Sequence, residues 1–243
     1  MIKFNELDDL VKYLEDPGHY PTLFKFVKVK EHAEQFMNGE LYMRSPRYFT
    51  DYDSESIGDK YEGKYMYKSD KAKDGDFVTI ESKYFNSPIF CMYSVDTRGL
   101  VPVSKNEDKI TYKFNFSDND KEEMRKHFCK EGYKYAIVVR EFPEFFKLLE
   151  KNAINFRHID YESISEIDDT LKDANFNPVY RKVKESYSIQ REYRCLIKDK
   201  AIEQNKPYIC KIGSIRNFTQ ILDLEDFLNY DFVIDVNVIK ESE

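Results

Sequence analysis

A chain of 243 residues with 38 basic side chains against 45 acidic ones, a net charge of −7, offers no broad electrostatic grip for nucleic acid. Its aromatic content of 16%, with 19 Tyr and 19 Phe, excludes a disordered chain, because such chains lack the apolar surface to bury. The length fits a single domain spanning residues 1–243, and the expected class is α+β: a mixed, mostly antiparallel sheet with short packed helices.

In chain order, Asn5 can cap a helix with Leu7, Leu10, Val11 and Leu14 at helical spacing, and Asp16-Pro-Gly18 ends it. Leu23 to Val29 is rich in β-formers and predicts a strand. Glu31 to Asn38 reads as a short helix with Ala33, Phe36 and Met37 inward, ended by Gly39, and Leu41 to Arg44 as a second strand. Residues 51 to 63 are acidic and without apolar periodicity, which predicts a loop of solvated charge. A polar loop at Lys68 to Gly75 and an alternating strand at Asp76 to Phe85 follow.

Pro88 to Val95 is the most apolar short run and predicts a central strand buried on both faces. Lys109 to Phe116 places Ile110, Tyr112, Phe114 and Phe116 on one face. Lys121 to Lys130 suits a helix with Met124 and Phe128 inward, Tyr133 to Arg140 a strand, and Pro143 the first turn of a helix burying Phe142, Phe145, Phe146 and Leu149. Phe156 to Tyr161 reads as a strand and Asp168 to Asn177 as an exposed acidic segment. Pro207 to Ile212 and Phe232 to Ile239 supply the last strands, with a short helix at Leu224 to Asn229 between them.

Ser188 to Ile197 is the stretch of greatest interest. With a period of two, Ile189, Arg191, Tyr193, Cys195 and Ile197 share one face, and Gln190, Glu192, Arg194 and Leu196 the other. A carboxylate and a guanidinium two residues apart either line a cleft or brace a neighbouring loop as an ion pair.

The familiar chemical motifs are missing: no Gly-rich phosphate loop, no G-x-S-x-G elbow and no His-Glu-x-x-His helix. Cys91, Cys129, Cys195 and Cys210 form no CxxC pair, and three of them lie in apolar runs as small buried hydrophobes. His127 stands apart, and His158 with Asp160 supplies too few converging ligands for a metal, so none is expected. Nor does the acidic loop fit the calcium-loop spacing. Most of the aromatic residues fall at inward strand positions, which core packing explains better than base stacking. No stretch approaches the ~20 apolar residues of a membrane span, and the N-terminus lacks a signal peptide's apolar core, so a cytoplasmic protein without membrane contact is expected. The candidate functional residues are polar groups at strand ends: Arg44, Ser45, Arg47, Tyr48, Glu62, Ser94, Glu192 and Arg194.

Four segments carry a resemblance. Leu23-Phe-Lys-Phe-Val with Gly39 to Phe49, Asp59-Lys-Tyr-Glu-Gly63, Ile89 to Ser94, and Gln190-Arg-Glu-Tyr-Arg194 resemble, in order, a group of bacterial and phage proteins known as domain of unknown function 2971. Where that group has Asn-Asp-Pro after the second strand, this chain has Thr50-Asp51 and an acidic run. The opening strand, helix and G-x-L-Y strand also resemble the start of ADP-ribosyltransferase domains. That resemblance implies NAD or a related nucleotide as ligand and substrate. It implies Tyr48 stacking on nicotinamide and Glu192 orienting the ribose hydroxyl, with Arg44, Ser45, Ser94 and Arg194 as binding residues. Lys25 or Phe26 stands where the first-strand His or Arg would be. The function implied is an ADP-ribosyltransferase-like protein of phage–host conflict; the alternative is a noncatalytic protein that binds and inhibits a protein partner, for which an acidic surface is suited.

Overall fold

The structure, a computed structural model, describes residues 22–51, 58–67, 78–95, 100–106, 109–114, 116–163, 177–183 and 191–237. The helix expected at 5–14, the polar loop at 68–75, most of the acidic segment from 168 and the start of the 188–197 stretch lie outside the described residues.

The chain opens with β1 (Thr22–Val27), α1 (Lys30–Met37), β2 (Glu40–Met43), α2 (Pro46–Thr50), β3 (Lys64–Tyr67), β4 (Val78–Glu81) and β5 (Ile89–Val95). Next come β6 (Leu100–Lys105), β7 (Lys109–Phe114), α3 (Asp118–Met124), β8 (Tyr135–Val139), α4 (Phe142–Lys151), β9 (Asn155–His158) and β10 (Asp160–Glu162). The last elements are β11 (Arg181–Val183), β12 (Glu192–Leu196), β13 (Tyr208–Lys211), β14 (Thr219–Asp223), α5 (Leu224–Leu228) and β15 (Phe232–Asn237). Six strands form the central sheet in the order β14-β8-β1-β5-β12-β9, every neighbouring pair antiparallel. The small β10–β11 pair is parallel, so the fold is mixed α+β with mostly antiparallel sheets.

Local sequence explains the main elements. The apolar run Ile89–Val95 becomes β5, an inner strand between β1 and β12. Alternation in β7 buries Ile110, Tyr112 and Phe114 as expected. Pro143 sits in the first turn of α4, and Phe145 and Leu149 make its buried stripe. Gly39 follows α1 at φ +83°, where a Cβ would lie 1.9 Å from the Gly213 carbonyl oxygen, so only glycine fits. The helix expected from Lys121 begins three residues earlier, because Ser117 and Asp120 form a reciprocal capping box, and it continues past Met124 as a π turn through Cys129.

Both faces of the central sheet are covered. On one, Leu23, Val27, Met92, Ile137, Tyr193 and Cys195 pack under α1, α4 and the β2–β13 pair. On the other, Phe24, Phe26, Tyr93 and Val138 meet Phe114, Phe128, Phe227 and Phe232, an aromatic cluster with ring centroids as close as 4.2 Å. Each fully buried Phe there contributes about 2–3 kcal/mol by removal from water.

The strand after α1 pairs with β13 in a separate two-stranded sheet that covers the core, where Leu41 and Met43 are buried. One predicted strand needs correction. The strand expected at Phe156–Tyr161 breaks at Ile159, whose side chain is buried, into β9 of the central sheet and β10 of another. Strands β6 and β14 carry no strong apolar alternation in the sequence, and pairing with β7 and β8 creates them.

Candidate functional site

Strand β12 positions the site. Arg191, just before it, adopts φ +38° and turns its guanidinium to Asp120 at 2.9 Å, so it does not share the face of Tyr193 and Cys195. From Glu192 onward the period of two holds. Tyr193 and Cys195 enter the core beneath α4, while Glu192 and Arg194 take the opposite face. That face is no more solvated than the first: Glu192 is 4% exposed and Arg194 0%.

Two charged partners reach this face from distant parts of the chain. Arg194 Nε donates to Glu192 Oε1 at 2.6 Å, while Nη1 donates to Glu62 Oε1 and to the Val179 carbonyl oxygen. Lys182 Nζ lies 2.8 Å from Glu192 Oε2 and 3.8 Å from Glu62 Oε2. The Glu192 N–H donates to the Tyr161 hydroxyl at 2.8 Å. Of the two sequence-level alternatives for Glu192 and Arg194, the loop-bracing ion pair is present, made to Glu62. This overturns the expectation of solvated charge at the end of the acidic loop: Asp59 is 2% exposed and Glu62 0%, because Arg194 and its neighbours draw that turn inward.

The two carboxylates differ electrostatically. Burial pushes the Glu62 carboxyl above the usual range, outweighing Arg194 and Lys182, and its Oε2 accepts no hydrogen bond among the described residues. Burial opposes ionisation of Glu192 too, but Arg194 and Lys182 overcome it and hold its carboxyl far below the usual range. Lys182 is correspondingly held protonated, with burial overcome by Glu192 and Glu62. Two carboxylates on one guanidinium are thus pushed in opposite directions, Glu62 up by burial and Glu192 down by Arg194 and Lys182. Burial pushes the Cys91 thiol up to about 12, which keeps it from acting as a thiolate. On the neighbouring strand β1, Lys25 Nζ donates to the Cys91 carbonyl oxygen at 2.6 Å and lies 4.4 Å from the Phe90 ring centroid, with its pKa lowered by burial.

The other candidates gather elsewhere. Ser45 is the buried N-cap of α2, its Oγ accepting from the Tyr48 N–H at 3.4 Å. The Arg44 guanidinium lies 4.4 Å from the Tyr48 ring centroid and donates to the Asn205 carbonyl oxygen and the Tyr42 hydroxyl. Arg47 pairs with Glu81 at 2.9 Å. Ser94 is buried and donates to the Arg191 carbonyl oxygen at 2.8 Å, fixing the entry of β12. The strand break at Ile159 separates His158 from Asp160, and Asp160 pairs with Arg157 at 2.8 Å. Among the described residues no group of three or more His, Cys, Asp or Glu could hold a metal, and no helix is long and apolar enough to cross a membrane.

Sequence reasoning missed Lys182, Tyr161 and Cys91. A signal existed for the first: in Val179-Tyr-Arg-Lys-Val183 two cations are flanked by apolar side chains, a pattern that marks buried charge in need of carboxylates. Comparison with protein-family models, curated proteins and solved structures found no match.

Proposed function

We propose that the face of β12 carrying Glu192 serves an ADP-ribosyltransferase-like activity in phage–host conflict, taking NAD or a related nucleotide. The observation that carries this reading is that Glu192 lies on an inner strand with a cation on each carboxylate oxygen, Arg194 at 2.6 Å and Lys182 at 2.8 Å. An ionised carboxylate in a low-dielectric site can accept a ribose hydroxyl proton in a hydrogen bond and steady positive charge as nicotinamide leaves. For this, Lys182 must release Glu192 Oε2 to the incoming hydroxyl. Tyr48, with Arg44, would stack on the nicotinamide ring. Arg194 joins Glu192 in the binding set; Ser45 and Ser94 would join it only by giving up their bonds to the Tyr48 N–H and the Arg191 carbonyl oxygen.

The test is a thermal-shift panel of NAD, NADP, ADP-ribose and ATP on the purified chain, with NAD consumption followed by chromatography. NAD at about 100 times its Kd is expected to add about 2.7 kcal/mol of stability, and Glu192→Gln to abolish consumption while the chain remains folded. Equal consumption by Glu192→Gln would remove Glu192 from the mechanism.

A second reading, a noncatalytic protein that binds and inhibits a protein partner, is favoured by one observation: both Glu192 oxygens are already engaged within the chain. Under it, NAD leaves the melting temperature unchanged and a pull-down recovers one protein partner; recovery of none counts against it.

A further inference from the structure

The edges of the sheets are not equally protected. Strand β6, at the edge of the β15-β7-β6 sheet, carries Pro102, Lys105 and a register break between Pro102 and Ser104. Strand β9, at one edge of the central sheet, carries the exposed Arg157. Such features obstruct the addition of a further strand. Strand β14, at the other edge, reads Thr-Gln-Ile-Leu-Asp, with no proline, no basic residue and an unbroken register of five pairs with β8.

The register also says which backbone groups face outward. Arg140 N–H donates to the Phe218 carbonyl oxygen and Leu224 N–H to that of Lys134, both at 2.8 Å. Residues 218, 220, 222 and 224 therefore bond to β8, and Thr219, Ile221 and Asp223 direct their N–H and C=O away from the sheet. The side chains of these three lie on the α1 side, since they oppose Val139, Ile137 and Tyr135. There they help to line a groove of about 470 Å³ between β14 and Lys30, Glu34 and Met37 of α1, with Tyr135 of β8. Met37, Tyr135 and Ile221 give it apolar surface, and Glu34 is already paired with Arg216. Asp223 stands at the N-cap position of α5 but accepts no capping hydrogen bond. Its carboxylate is exposed at the end of the groove.

We propose that β14 is a docking edge at which an extended peptide of a partner protein adds as a seventh strand. The peptide places an apolar side chain against Met37 and Ile221 and, two residues along, a Lys or Arg against Asp223. Main-chain bonding to Ile221 and Asp223, the accessible outward positions of this edge, supplies affinity, and the two side chains supply selectivity. The two-residue spacing follows from the pleat, which sets Ile221 and Asp223 two positions apart on one face. This site is independent of the reading of Glu192.

The experiment pans a random octapeptide display library on the full-length chain and measures the selected peptides by fluorescence anisotropy. Enriched peptides are expected to carry an apolar residue and a Lys or Arg two positions apart. Asp223→Lys should weaken them about tenfold, a loss of about 1.4 kcal/mol, and a peptide with Glu in place of its basic residue should recover binding to that variant. Ile221→Pro removes an outward N–H without taking a bond from β8 and should also weaken binding. Amide exchange at residues 221 and 223 should slow when peptide binds. The proposal is overturned if the library yields no such pattern, or if the selected peptides bind Asp223→Lys as tightly as the unaltered chain. A concentration-dependent dimer in sedimentation that Ile221→Pro abolishes would assign the edge to a second copy and overturn it equally.

Discussion

Two clusters share one face of the central sheet, and both are buried. Around Phe24, Phe26, Phe227 and Phe232 the contacts are ring on ring, with Phe227 centred 4.8 Å from Phe24 and 5.3 Å from Phe26. Around Arg194 they are charge on charge, with Glu62, Glu192 and Lys182. The first cluster is cohesive but redundant, since dispersion is non-directional and a lost ring leaves many others in contact. The second has no redundancy. Each of its ions loses several kcal/mol of hydration on burial, and only its own partners return that energy. Two equally buried regions therefore answer a single substitution differently.

Arg194→Met should show the largest effect. It keeps the volume of the stem but leaves Glu62 and Glu192 buried together with Lys182 alone to offset them. A loss of about 3–5 kcal/mol is expected, read as a fall in the urea midpoint. Adding Glu62→Gln to Arg194→Met should recover part of the loss, because it removes a buried carboxyl that had lost its guanidinium partner. If the double variant is less stable by the sum of the two single changes, the cluster is not coupled as the geometry implies.

Next comes a dependence on pH that the aromatic cluster cannot have. The Glu62 carboxyl titrates above its ordinary value of 4.5, so between 4.5 and its folded value the native chain keeps a proton that the unfolded chain has released. Stability attributable to Glu62 therefore falls as pH rises through that window. Glu192 runs the other way: its folded pKa is depressed, so its contribution is whole above 4.5 and is lost as pH falls towards the folded value. Comparing urea midpoints at about pH 5 and about pH 8, the unaltered chain should lose more stability with rising pH than Glu62→Gln does. Parallel pH profiles would show that Glu62 is ionised throughout.

The same contrast separates what the sequence reveals from what it hides. Aromatic and aliphatic positions announce themselves by period: Ile89 to Val95 as an inner strand, Ile110, Tyr112 and Phe114 as one face, Phe145 and Leu149 as a helical stripe. A carboxylate has no such signature, because in a turn it looks solvated until its partner is known. Glu62 meets Arg194 across 132 residues, and the Lys182 that completes the group comes from a three-residue strand whose apolar flanks, Val179, Tyr180 and Val183, point to burial but name no partner. Alternation could give the shared face of Glu192 and Arg194, but not the burial that decides their chemistry. Strand β14 escaped for a related reason: its register is imposed by β8, and Thr-Gln-Ile-Leu-Asp by itself states no face.

Phe227→Leu should produce the smallest shift. Phe227 is fully buried and touches Phe24, Phe26, Phe116 and Phe232, so by burial alone it ranks with Arg194. Leucine keeps most of the apolar volume and leaves no polar atom without a partner, and the surrounding rings can close part of the gap. The expected cost is about 1–2 kcal/mol, with no change in the pH dependence of stability. A cost matching that of Arg194→Met would mean that the aromatic cluster is packed too rigidly to relax, and that directional contact limits both regions alike. A small cost would tie the fragility of this face to its four charged side chains.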